Sequence, residues 1–415
     1  MPDRHFPVHP NITQLRHQAK DLLRALHAVD LEAISDYHLH HPSPSSPQTA
    51  KLADAQLVLA RNYDLPGWQR LVLACSITDA IWKDDAETVR KLILKYPSLL
   101  HESARGTREC NWGPPMSYAA NVGRDNIISM LSDMGAADYQ HAFERACLQG
   151  KLETARKLHE LGGRPVRGSV MGPCETLNAD GLSLLLELGS ELCDVDGDPL
   201  APVALVLESY SRYPEGKHKC LNVIEQQGIK LPQTAPMALH QGRIDLLEQY
   251  IQADRNLLSR CFSHAEIYPP KLGCHADESL ALHGTPLAGT TLLHLCVDYD
   301  EIEIAKWLLA QGADVNARAE LDIDGFGGHT PLFGCLVSQP YRCSRDSEGA
   351  FARLLLNHGA DTTVRASLRK RLRFVKDETL HTYHQVTPLE WGQQFQDQDW
   401  VNPSVMKMIQ DKLVL

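Results

Sequence analysis

Short apolar sets recur along the chain at helical spacing, each bounded by glycine or an equivalent turn residue. Ile127, Ile128 and Leu131 form one set, Leu152, Ala155 and Leu158 the next, and Ile302, Ala305, Leu308 and Leu309 a later one. Residues three and four apart share a helix face, so each set predicts a short amphipathic helix. The turn residues keep a ruler. Gly123 to Gly135, Gly150 to Gly162 and Gly216 to Gly228 are each 12 residues apart, and Asp300 to Gly312 repeats the interval. A glycine closing such a helix suits the position after the C-cap, where φ is positive. Gly135, Gly162 and Gly189 give a period of 27, which stretches to 39 from Gly189 to Gly228 and to 47 from Gly312 to Gly359.

A second ruler precedes the helices. Thr291-Leu-Leu-His294-Leu-Cys296, Thr330-Pro-Leu-Phe-Gly-Cys335 and Thr387-Pro-Leu-Glu-Trp-Gly392 align with one another. The helices end in Gln311 to Asn316 (QGADVN), His358 to Asp361 (HGAD) and Met134 to Asp138 (MGAAD). These residues resemble the ankyrin repeat, a unit of about 33 residues that opens with T-P-L-H-x-A. The resemblance implies an all-α solenoid of eight or nine helix–turn–helix units over residues 77–415. A single unit cannot bury its apolar face, whereas stacked neighbours bury a continuous core. In that reading Cys147, Cys174, Cys296 and Cys335 are small buried hydrophobes, and Thr291 and His294 bond locally to the turn.

Residues 1–76 read as a helical cap on the array. Asn11 is placed to cap a helix from Ile12 to about Ala28, with Leu15, Ala19, Leu22, Leu23 and Leu26 on one face. A Pro/Ser linker follows at 40–48, then a helix over about Thr49 to Tyr63 ahead of Asp64-Leu-Pro-Gly-Trp68. The stretch LADAQLVLARNYDLPGWQRL is similar to one found before the repeats of stand-alone bacterial ankyrin proteins. At the other end Val405 to Leu413 predicts a short closing helix.

Composition narrows the function. The 415 residues carry a formal charge of −11, which argues against coating nucleic acid, because phosphate binding runs on excess Lys and Arg. The longest apolar stretch, Leu200 to Leu207, is 8 residues and contains Pro202, short of the roughly 20 a membrane span needs. The start has no apolar leader region, and eleven irregularly spaced cysteines with no CxxC do not read as a disulfide framework. A cytoplasmic protein is expected. No P-loop, dinucleotide fingerprint, nucleophile elbow or HExxH occurs, so no cofactor is expected.

Candidate chemistry lies in three long loops, or fingers, at successive junctions: 261–290, 315–330 and 362–387. The first holds Cys261, His264, Cys274, His275, Asp277, Glu278 and His283. Their spacing matches no zinc motif, so no metal is expected. The second presents Asp322, Asp324 and His329. If extended, the two carboxylates point the same way and form an acid/base pair. The alternative is that Asp and Gly only build a turn, as at Asp194-Val-Asp196-Gly197. The third concentrates Arg365, Arg369, Lys370, Arg371, Arg373 and Lys376 before His381, Tyr383 and His384. It reads either as a solvated helix face or as an anion clamp. An early finger adds Arg108 and Trp112, a candidate partner anchor.

Two functions are consistent with this pattern. The first is a binding protein that holds a partner protein or peptide in a concave groove and on its fingers, using His275, His283, Arg369, Arg371, Tyr383, His384, Trp112 and Arg108. The second is an enzyme or small-ligand receptor in which Asp322, Asp324 and His329 supply acid/base groups and arginines hold an anionic ligand.

Overall fold

The computed structural model describes residues 6–107, 111–276, 284–344, 348–371, 379–396 and 398–414. The chain forms two compact units, Met1–Val166 and Arg167–Leu415.

In the first unit, α1 (Ile12–His27), α2 (Leu31–His40) and α3 (Leu52–Asn62) pack on one another. Asn11 caps α1 as its sequence position predicts: its side-chain oxygen accepts from the Thr13 and Gln14 amides at 2.9 and 3.1 Å. Leu15, Ala19, Leu22 and Leu26 form its buried stripe. Helix α2 goes beyond the sequence expectation, since only two of its residues, Ala33 and Tyr37, are buried apolar ones. Asp30 starts it by accepting from the Ala33 amide at 2.9 Å. Three helix pairs follow: α4 (Trp68–Trp82) with α5 (Ala86–Lys95), α6 (Pro115–Val122) with α7 (Asp125–Asp133), and α8 (Tyr139–Leu148) with α9 (Leu152–Glu160). The first helices of successive pairs touch, so Ala119, Ala120 and Ala146 are fully buried between them.

The second unit continues the same construction. Its pairs are α10 (Met171–Glu175) with α11 (Ala179–Glu187), α12 (Ala201–Glu208) with α13 (Pro214–Gln226), and α14 (Ala235–His240) with α15 (Ile244–Ala253). The one-turn α16 (His264–Ile267) precedes α17 (Leu292–Tyr299), which pairs with α18 (Ile302–Ala310). Then α19 (Pro331–Leu336) packs with α21 (Ala350–Asn357), with α20 (Gln339–Ser344) between them in sequence, and α22 (Pro388–Gln393) packs with α23 (Pro403–Val414). Nine helix pairs are thus present among the described residues. One core runs from Ala235 through Leu247, Leu292, Leu308, Leu332 and Leu355 to Ile409. Burying a leucine side chain is worth about 1.5–3 kcal/mol, so neighbouring pairs stabilise one another.

The turn ruler has a structural basis. Gly123 and Asp300 end α6 and α17 in the left-handed region, at φ 68° and 63°. Aspartate tolerates that region better than most side chains, which is why it replaces glycine there. Gly216 does not obey the ruler: it lies inside α13, buried against the Leu177 carbonyl, where a side chain would clash.

The Thr-x-x-His start of α17 forms a hydrogen-bonded relay. The Thr291 hydroxyl meets His294 Nδ1 at 2.9 Å, and His294 Nε2 donates to the His329 carbonyl at 3.1 Å. His329 Nε2 donates in turn to the Pro286 carbonyl at 2.9 Å. Helix α22 replaces the histidine with Glu390, which accepts from the Thr387 amide at 2.7 Å in a capping box. Cys147, Cys174, Cys296 and Cys335 are all buried, and burial pushes the Cys147 thiol up to about 12.

The third finger departs from the all-helical expectation. It contains an antiparallel hairpin of β1 (Ala366–Arg371) and β2 (Leu380–Val386). The basic run is therefore half strand rather than helix face, because side chains alternate with period two. Leu368 and Lys370 turn inward, while Arg369 and Arg371 face out. Arg373 and Lys376 lie outside the described residues.

Candidate functional site

The three long fingers are joined edge to edge by short backbone bridges. In the first, the Phe262 amide donates to the Thr290 carbonyl at 2.8 Å and the Gly289 amide to the Phe262 carbonyl at 2.9 Å. The Glu320 amide donates to the Gly289 carbonyl at 2.8 Å, linking first finger to second. The Gly327 amide donates to the Ser367 carbonyl at 2.7 Å, linking second to third. These bridges satisfy backbone groups that would otherwise compete for water. They also hold the side chains of three separate loops in register.

Within this strip the second finger folds back on itself. Asp322 Oδ1 accepts from the Asp324 and Phe326 amides, each at 2.9 Å. Asp194 does the same for Asp196 and Asp198 at 3.0 and 2.8 Å. Both D-x-D-G sequences are thus turn builders that use one carboxylate oxygen on backbone. Arg369 of β1 takes the remaining charge: its guanidinium bonds to Asp322 and reaches Asp324 Oδ2 at 2.9 Å. It also lies 4.7 Å from the Phe326 ring centre, a cation–π distance. The other neighbour of Phe326 is His384, with ring centres 5.1 Å apart.

The acid/base candidates of the second finger are engaged by the chain itself. Asp322 and Asp324 do not face one another as a free pair, since both are engaged by Arg369. His329 is 2% exposed. Burial, aided by the nearby Arg318 charge, lowers it to about 4 against the Pro286 hydrogen bond, so it stays neutral. Its Nδ1 has no hydrogen-bond partner. Most of the basic candidates of the third finger are engaged too. Arg369 is already neutralised by two carboxylates and Arg365 pairs with Glu390 at 3.1 Å. Lys370 is fully buried and donates to the Gly284 carbonyl at 2.6 Å. Arg371 sits exposed at the strand end, in register with Leu380.

The other expected site residues divide. Tyr383 is half-buried and packs on the core, its ring centre 5.9 Å from Trp391 and 5.7 Å from Phe395. His275 is exposed and bonds to Glu208 at 2.7 Å, while its carbonyl accepts from His264 Nε2 at 3.0 Å. Cys274 is buried, so it does not join the histidines in a ligand set. Among the described residues no three His, Cys, Asp or Glu side chains are grouped to hold a metal. In the first unit, Trp112 is half-buried, 5.1 Å from the Tyr118 ring centre. Arg108, Asp277, Glu278 and His283 lie outside the described residues.

The fingers line an open cleft of about 260 Å³. Ser263 and His264 come from the first finger, Pro286, Ala288 and Gly289 from its return, Glu320 to Asp322, Phe326, Gly327 and His329 from the second, and Leu368 and Arg369 from β1. Beside it the tip of the second finger exposes apolar side chains: Ile323 is fully exposed and Leu321 65% exposed.

A second cluster was invisible in the sequence. Arg212 donates to Asp298 Oδ2 and to the Asp298 carbonyl, each at 2.7 Å. Lys217 Nζ lies 2.6 Å from His240 Nδ1 and 3.8 Å from the Tyr299 ring centre. Burial, with Arg212 next in effect, lowers Lys217 to about 7. Burial lowers Lys370 to about 7 also, opposed by Asp298. These residues come from separated segments of the chain. They bear on the groove expectation: in this unit His240, Asp298 and Tyr299 are buried beneath the chain's own side chains.

No described helix is long and apolar enough to cross a membrane. No curated protein matches the sequence. Among solved structures, the human ASB11 ankyrin repeat domain is similar at 18% identity, covering 72% of this chain and 97% of that one, with a TM-score of 0.24. The ankyrin repeat family model matches residues 288–320, the segment from the return of the first finger through α17 and α18 into the second. With their Thr-x-x-His cap and helix pair, residues 288–320 match the ankyrin repeat, and within each unit the other helix pairs are built in the same way.

Proposed function

We propose that the protein is a non-enzymatic binding protein that holds a partner polypeptide on its three long fingers. Repeat units extend from about residue 77, after a helical cap at 1–76, and the bacterial resemblance of the N-terminal segment and the free cysteines favour a reducing cytoplasm. The observation that carries the reading is the exposed Leu321–Ile323 tip standing beside a cleft built by all three fingers. Exposed apolar side chains next to a concavity mark interaction sites. The neutral, buried His329 and the occupied Asp322 and Asp324 favour binding over catalysis. Of the residues expected from sequence, Arg369 and His384 flank Phe326 and belong to this surface, and Arg371 extends it.

Selection of short random peptides on the full-length chain tests the proposal. Ile323→Asp should weaken the selected peptides by about tenfold or more, as loss of an apolar anchor does, while shifting stability by no more than about 0.5 kcal/mol. Selected peptides that bind Ile323→Asp unchanged would move the site away from the fingers.

A further inference from the structure

We infer that the finger cleft receives a lysine side chain of the partner polypeptide. The inference rests on the partner-binding reading above and adds the chemistry of what enters. Pro286, Ala288, Leu321 and Leu368 give the cleft apolar walls. Its charged lining is two carboxylates, Glu320 and Asp322, against one cation, Arg369. That cation is shared with Asp324 as well, and the Arg318 guanidinium lies beside Gly328, so three carboxylates face two arginines and negative charge is in excess.

The polar side chains differ in what they have left to offer. The Ser263 hydroxyl already donates to Glu266 at 2.9 Å, and His264 Nε2 to the His275 carbonyl at 3.0 Å. Asp322 is engaged by its own turn and by Arg369. Two groups remain. Glu320 is exposed and makes no salt bridge among the described residues. His329 spends its N–H on Pro286, which leaves Nδ1 an acceptor without a partner. Both are acceptors, so the occupant must bring donors, and the excess charge asks for a cation.

Lysine fits this demand better than arginine. A guanidinium is best matched by a bidentate carboxylate arrangement beside an aromatic face, and here Asp322, Asp324 and Phe326 already hold one in Arg369. An ammonium is a compact charge with three donors on an unbranched stem. The stem covers the apolar walls while the head reaches Glu320.

The test uses the full-length chain and fluorescein-labelled peptides selected on it from a random library. Each lysine of a selected peptide is replaced in turn by norleucine, which keeps the stem and deletes the charge, and by arginine. One lysine should emerge whose norleucine replacement weakens binding by about tenfold. Glu320→Gln should weaken the parent peptide similarly and be indifferent to that replacement, the signature of a coupled pair. Peptides that bind through Ile323 yet tolerate norleucine everywhere, or ignore Glu320→Gln, would overturn the lysine assignment and leave the partner reading intact. Arginine binding as well as lysine would also overturn it, as would 1,5-diaminopentane displacing the peptide at equal affinity. Insensitivity to both Ile323→Asp and Glu320→Gln, or failure to select any peptide, would overturn both.

Discussion

Lowering the pH from about 6.5 to about 4.5 is expected to remove about 5 kcal/mol of folding stability through His294 and His329 alone. Burial, reinforced by His329, lowers His294 to about 3, and burial with the Arg318 charge lowers His329 to about 4. Both lie below the roughly 6.5 of an unfolded-chain histidine. Between those values the unfolded chain binds protons that the native state does not, so stability falls as pH falls. The loss levels off once the pH passes below the native values. His240, buried beside Lys217 and shifted downward by burial first and that charge second, acts in the same direction. A loss of this size is comparable with the whole stability of many domains. Urea midpoints measured at roughly unit intervals of pH across this range would trace it. His329→Gln keeps a donor for Pro286 and cannot titrate. Its stability should converge on that of the parent, by about 2 kcal/mol, as the pH falls through the same range. Parallel profiles would show that His329 is charged in the native protein.

Asp298→Ala is expected to cost about 3–5 kcal/mol, the effect of breaking a buried ion pair from one side. Arg212 and Asp298 have side chains only 9% and 7% exposed. Burial alone would lower the Arg212 pKa, but Asp298 and the two tyrosines outweigh it and hold it above the ordinary arginine value. Removing the carboxylate leaves that guanidinium buried against backbone carbonyls and the Tyr299 ring. It also withdraws the attraction by which Asp298 opposes loss of the Lys370 proton. Arg212→Met in the same chain should recover much of the loss, because the uncompensated charge goes with it. Thermal and urea unfolding of the single and double variants measure this. Equal destabilisation in both would place the cost in packing around α17 and not in charge.

Features set by near neighbours are legible in the sequence itself. Asn11 marks the start of α1, and Ala155 and Leu158 identify the buried face of α9, with Leu152 half-buried at its start, because capping and helix periodicity act within a few residues. Thr291 and His294 announce their own bond for the same reason. The third finger resists such reading because six cations in twelve positions hide a strand. Lys370 counts as polar in any pattern, yet its stem is buried and its ammonium is satisfied by Gly284, 86 residues away. Asp322 and Asp324 are recognisable as a unit, but their partner Arg369 lies 45 or more residues on. The Arg212–Asp298 pair spans 86 residues. Spacing along a chain carries no trace of such partners, so the cleft, the ion cluster and the neutral state of His329 emerge only from the fold.

Hydrogen exchange of the full-length chain, with and without a peptide selected on it, tests most directly whether the fingers are the binding surface. Bound peptide should slow exchange over 261–267, 286–290, 320–329 and 366–371, the segments that build the cleft and its apolar tip. The amides of α15 and α18 should be unchanged. Protection confined to segments outside the fingers would contradict the account.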